Sequence, residues 1–167
     1  MPVIFKPIKP AAFKVDEIYK AIERNAEVAK AGILKDYQAG VKDWDHKVTF
    51  VAELLINTYG GVAIHVNTDD EIYTYVHEGT GPHTIEPKTP GGTLRFQGTY
   101  TAKTTPGVIQ SKPGGPSGEF RYSKIVFHPG TTGRFQSKAI FKKWRPFFER
   151  SMERAIQEGV KKSGHSI

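Results

Sequence analysis

A chain of 167 residues, 38% hydrophobic and 25% charged, has the composition expected of one globular domain with room for a core. It contains no cysteine, which excludes disulfides, thiolate catalysis and thiolate zinc sites, and no apolar run nears the roughly 20 residues that span a bilayer. The net charge of +7 is unevenly placed, since residues 134–162 carry nine Lys or Arg against three Glu. That surplus favours a nucleic acid or an acidic protein surface as neighbour, or else it is only a solvated helix face.

Residues 1–13, MPVIFKPIKPAAF, lack the long apolar centre and cleavage site of a secretory signal. They read as an extended arm with Phe5 and Ile8 as contact candidates. Over residues 15–40, Val15, Ile18, Tyr19, Ile22, Ala26, Ala29 and Ile33 recur at spacings of three and four, which predicts one long helix ended at Gly40. Residues 47–56 are β-branched and aromatic and residues 62–66 alternate, with a glycine turn between them; this predicts an antiparallel hairpin.

The stretch 70–88, DEIYTYVHEGTGPHTIEPK, is where the chain changes direction. Ile72, Tyr73 and Val76 share one side of a short helical turn, capped by Asp69 or Asp70 and stopped by Gly79, although a strand also fits so short a run. After the Gly79–Pro82 punctuation, His83 to Glu86 alternate like a strand and end at Pro87. Residues 93–100 predict a further strand, with Leu94, Phe96 and Gly98 on one face and Arg95 and Gln97 on the other.

Residues 104–118, rich in glycine and proline, predict a mobile hairpin loop that serves as a docking loop or a spacer, with Val108, Ile109 and Lys112 as contact candidates. Residues 120–127 return as a strand into His128-Pro129-Gly130-Thr131. The remainder predicts two helices, 135–144 and a second starting at Pro146, because proline suits a first turn and not a helix interior. Phe147, Phe148, Ser151, Ala155, Ile156 and Val160 form the expected stripe of the second. Arg134, Lys142, Lys143 and Arg145 are the basic contact candidates, and residues 163–167 are expected to fray. The expected fold is α+β: an antiparallel sheet of four to five strands with a long N-terminal helix and C-terminal helices packed on it, one domain over residues 14–162.

Chemistry has few footholds here. His83, Glu86 and His128 are the set from which a small metal-dependent nuclease would be built, yet no HExxH or helical HxxxH spacing supports it. The alternative is that His83 and His128 hold loop backbone, and that with Pro87, Pro129 and Gly130 they shape a sheet corner. No nucleophile elbow, dinucleotide fingerprint or phosphate loop occurs. The basic and aromatic residues interleaved over 141–154 suit a nucleic-acid-binding module, but their helical spacing also explains the aromatics as core. No catalytic, cofactor or metal residue is assigned.

Five short motifs follow one another in order: YVHEGT at 75–80, HTIEPK at 83–88, LRF at 94–96, HPGT at 128–131 and Pro146-Phe147. This order resembles the neck and minor tail-component proteins of long-tailed bacteriophages, the tail-completion group to which lambda protein Z belongs. The resemblance covers roughly residues 70–156, and it departs from the pattern in the longer loop at 104–118 and in the intervening 135–144. It implies a non-catalytic virion structural protein without cofactor, assembled in the host cytoplasm as a ring or in several copies at the head–tail junction. Its implied partners are itself and neighbouring head-completion, tail-terminator or tail-tube subunits. A membrane is not among them; DNA is nearby only non-specifically.

Overall fold

The computed structural model describes residue 12 and residues 14–57 and 61–165. The expected arm at 1–13, with Phe5 and Ile8, thus lies outside the described residues apart from Ala12, as does the end of the chain at 166–167. In chain order the elements are α1 (Val15–Val41), β1 (Val51–Ile56), β2 (Val62–Asn67), α2 (Glu71–Glu78), β3 (Gly79–Thr80), β4 (His83–Ile85), β5 (Leu94–Thr101), β6 (Gly115–Ser123), β7 (Val126–His128), β8 (Thr131–Thr132) and α3 (Gln136–Lys162). No helix among the described residues is long and apolar enough to cross a membrane.

The 27-residue helices α1 and α3 lie antiparallel along their whole length. At one end the Lys14 N–H donates to Ser163 Oγ at 2.9 Å; at the other, Gln136 Nε2 donates to the Gly40 carbonyl. Ala21, Ile22 and Ala155 are buried between them, with Ile18, Val62 and Met152 packed around. Small residues permit this closeness. A Cβ on Gly159 would come within 2.7 Å of Ile18 Cα, and one on Gly32 would strike the Trp144 ring. Asp36 accepts from both Lys143 Nζ and Trp144 Nε1, and Arg24 pairs with Glu158 at 3.0 Å.

Three expectations need correction here. Residues 136–162 form one helix, not two, with Pro146 inside it. An interior proline costs about 3 kcal/mol; contacts on both sides of it, Trp144 on Gly32 and Ala155 on Ala21, tie both halves to α1. The stripes also shift: Ile22, Ala26, Ala29, Ser151, Ala155 and Val160 are buried, whereas Val15, Tyr19, Phe147 and Ile156 are exposed. Finally, the strands among the described residues form four two-stranded antiparallel pairs, not the expected four-to-five-stranded sheet.

The hairpin β1–β2 pairs Val51 with Asn67 through Ile56 with Val62 and lies on α1. Its inner face and the loop before it feed a second core cluster in which Val41, Phe50 and Tyr73 are buried. Phe50 and Tyr73 meet edge-to-face at 4.9 Å between centroids. Asp70 caps α2, accepting the Tyr73 N–H at 2.7 Å, and Gly79 ends it at φ 87°, a value that costs glycine nothing. The ambiguous stretch is therefore a helix.

The other three pairs succeed one another along the same two lines of chain. Gly79 faces Thr132, His83 faces His128, Ile85 faces Val126, Leu94 faces Ser123 and Thr101 faces Gly115. They read as a single two-stranded ribbon from which residues 86–93 loop out. The corners break it into short pieces, and among the described residues no third strand lies beside it to make a broad sheet. The ribbon also turns back on itself: at its tip the Gly107 N–H donates to the carbonyl of Arg134, two residues beyond the ribbon's base.

Candidate assembly interface

The ribbon's end is fastened and its length is not. Residues 115–118 of the glycine-rich stretch belong to β6, and the rest of the tip is held to the helices. The Ser111 N–H donates to the Ala39 carbonyl, Ser111 Oγ donates to Asp43, and Lys103 Nζ donates to Asp45 at 2.8 Å. Thr104 is buried beneath. Between these anchors and the base, the ribbon packs extensively against no other element among the described residues.

Its side chains show what that leaves. Ile85, Phe96, Tyr100, Phe120, Tyr122, Ile125 and Phe127 are all exposed, Phe127 by 71% and Tyr122 by 67%. Cross-strand pairing of Arg95 with Tyr122 and of Gln97 with Phe120 puts these four on one face, and Phe96 with Arg121 on the other. The Arg95 guanidinium lies 3.8 Å from the centroid of the Phe120 ring. Across the described residues, twenty large hydrophobic side chains are exposed against ten buried hydrophobic ones. Isolated exposed hydrophobics are ordinary, but seven spread over the two faces of one ribbon, whose edges are unpaired among the described residues, favour a partner.

The residues assigned to a sheet corner lie together at the ribbon's first half. His83 and His128 oppose each other across β4–β7, their rings stacked with centroids 5.0 Å apart. Each uses Nδ1 on nearby backbone: His83 toward the Gly81 carbonyl at 2.9 Å, and His128 as acceptor from the Gly130 N–H at 3.1 Å. Because that amide can only donate, neutral His128 carries its proton on Nε2. Gly130, at φ 91°, passes so close to the Thr80 carbonyl that a Cβ would collide with it. Pro129 is exposed beside it, and Pro87 is half-buried in the 86–93 excursion. Glu86 does not complete a metal set: no group of three or more His, Cys, Asp or Glu among the described residues is placed to hold an ion.

The remaining contact candidates separate into three places. Val108, Ile109, Lys142 and Lys143 converge, with Asp36, on an open groove of about 680 Å³ where the ribbon tip meets the helices. Lys143 is already paired with Asp36 at 2.7 Å. Arg145 lines a different hollow with Phe141 and Trp144; its Nε donates a hydrogen bond to Glu149, and that bond and the carboxylate's charge raise the Arg145 pKa further. Arg134 lies under the ribbon tip, half-buried, and its Nε finds no acceptor among the described residues. Lys112 closes the tip loop through its N–H to the Lys103 carbonyl.

Sequence reasoning placed contacts on the arm, the tip and the basic helix, and passed over the aromatics of the ribbon. The alternation of Phe120-Arg-Tyr-Ser-Lys-Ile-Val-Phe127 signals a strand, but nothing in it says which face a neighbour covers. No protein-family model, no curated protein and no solved structure matches this chain.

Proposed function

We propose that the chain is a structural subunit of a long-tailed bacteriophage virion, acting at the head–tail junction as a neck or tail-completion protein and assembling there in several copies. The ordered motifs from YVHEGT to Pro146-Phe147 support this reading, and the observation that carries it is the uncovered ribbon. An aromatic side chain buries about 200 Å² in full, so the five exposed aromatics Phe96, Tyr100, Phe120, Tyr122 and Phe127 offer roughly 600 Å² over the two faces of the ribbon. That is a large part of the about 800 Å² each partner gives to a stable interface. The chain therefore contributes surfaces instead of reactive groups, and its histidines shape backbone at the corner. On α3, Lys143 and Arg145 are matched by acids, while Lys142, Arg150 and Arg154 make no ion pair among the described residues and face a neighbouring subunit or the DNA path.

Peptide mass spectrometry and electron microscopy of purified virions test this reading. The protein is expected in every particle in a fixed copy number, and particles lacking the gene should show heads and tails unjoined. Particles that are complete without it would refute the role.

A further inference from the structure

Two exposed surfaces of this chain complement each other. The first is the ribbon face with Arg95, Phe120 and Tyr122, backed by Arg121 on the reverse; neither arginine forms an ion pair among the described residues. The second is an open trough of about 640 Å³ between α1 and the outer edge of β1. Glu23, Glu27 and Glu53 line it together with Leu55 and Ile56, which are 52% and 40% exposed. Lys30 neutralises Glu27 at 2.6 Å, but Glu23 and Glu53 make no ion pair among the described residues. One surface is thus basic and aromatic, the other acidic and aliphatic.

The backbone agrees with the side chains. Among the described residues β1 pairs only with β2, and β5 pairs only with β6, so each presents there an edge with unused N–H and C=O groups. Tyrosine and arginine are the residues that dominate binding energy at protein interfaces, and here they sit on a narrow element able to enter a trough. We propose that the ribbon of one copy docks into the β1–α1 trough of the next copy. Because the two surfaces differ, this contact is head-to-tail, the kind that closes into a ring when the rotation between copies is right. It deepens the assembly reading above by naming the surfaces, and it stands or falls on self-association in solution, whereas that reading is decided by particle composition.

The test uses full-length variants in light scattering. Phe120→Ser with Tyr122→Ser removes the ribbon's anchors, and Glu23→Arg with Glu53→Arg reverses the trough. Each variant is expected to self-associate at least about tenfold more weakly than the unsubstituted chain while unfolding in urea at the same midpoint when both are diluted to the monomer. Mixed one to one, the two variants should form dimers and nothing larger, since one intact ribbon meets one intact trough. Adding Arg95→Glu and Arg121→Glu to the trough variant should restore assembly. An unsubstituted chain that stays monomeric, a trough variant that assembles normally, or a mixture that stays monomeric would each overturn the proposal. So would a Phe5→Ser, Lys6→Glu variant that alone abolishes assembly while the ribbon variant assembles normally, because the N-terminal arm would then be the occupant.

Discussion

Along the contact of α1 with α3 the meeting residues are small, and the backbones approach until a single Cβ at Gly159 would touch Ile18 Cα. Along the ribbon the residues are large, and Tyr100, Phe120, Tyr122 and Phe127 meet water. Both regions have a periodic sequence and regular secondary structure. They differ in whether the fold supplies a second layer, as α1 and α3 do for each other and as no element among the described residues does for the ribbon. Stability is therefore concentrated in the helical pair, and association in the ribbon. Substitutions should separate the two properties.

The largest effect is expected at Gly159→Leu, which forces the helices apart where backbone meets backbone. Overpacking of this kind costs about 3 kcal/mol, and urea unfolding should show it as a lowered midpoint. A variant as stable as the parent would mean that the helical pair is not the stability centre. Next comes Asp70→Ala, which removes the cap of α2 and the carboxylate partner of His46. Loss of such a cap typically costs about 1 kcal/mol. Burial alone would raise the Asp70 pKa, but the Tyr73 N–H and His46 outweigh it and hold the carboxyl below its usual 3.8. This contribution should therefore fade as the pH falls below about 4, when the folded state must take up the proton.

A subtler slope belongs to His77. Burial lowers its pKa from the usual 6.5, Lys138 adds to this and Glu78 opposes it. Between the folded value and 6.5 the unfolded chain binds more protons, so stability should decline as pH drops through that window and level off below it. Thermal melts from pH 7 to pH 5 should show this decline, and His77→Asn should flatten it. Smallest of all is the effect of Phe120→Ser with Tyr122→Ser on the unfolding of the monomer, expected within about 0.5 kcal/mol. A large loss there would show that the ribbon belongs to the core and not to an interface.

Much of the architecture was legible because local rules act at short range. The extent of α1, the β1–β2 hairpin, the Asp70 cap, the Gly79 stop and the strand at 83–85 all follow from spacing and from the backbone preferences of glycine, proline and aspartate. Pro146 was misread because the rule that bars proline from helix interiors is a local penalty, and the long contact with α1 exceeds it. The His83–His128 corner could be suspected from the turn residues around it. Their cross-strand stacking, however, depends on a register set 45 residues apart in the chain. The ribbon's aromatics were read as ordinary strand residues because alternation looks the same whether a face is covered or bare.

By itself the sequence determined where elements start and stop, where the chain must turn, and that positive charge gathers near its end. Tertiary structure alone decided that the strands stay as pairs, that the glycine-rich tip closes the ribbon onto its own base, and that Arg95, Phe120 and Tyr122 stand free of the acidic trough at β1. The reason is one of range. Dihedral preferences and capping act over a few residues, whereas burial depends on which distant segment reaches a face first, and α1 is covered by α3 while, among the described residues, no second layer covers the ribbon between its base and its fastened tip.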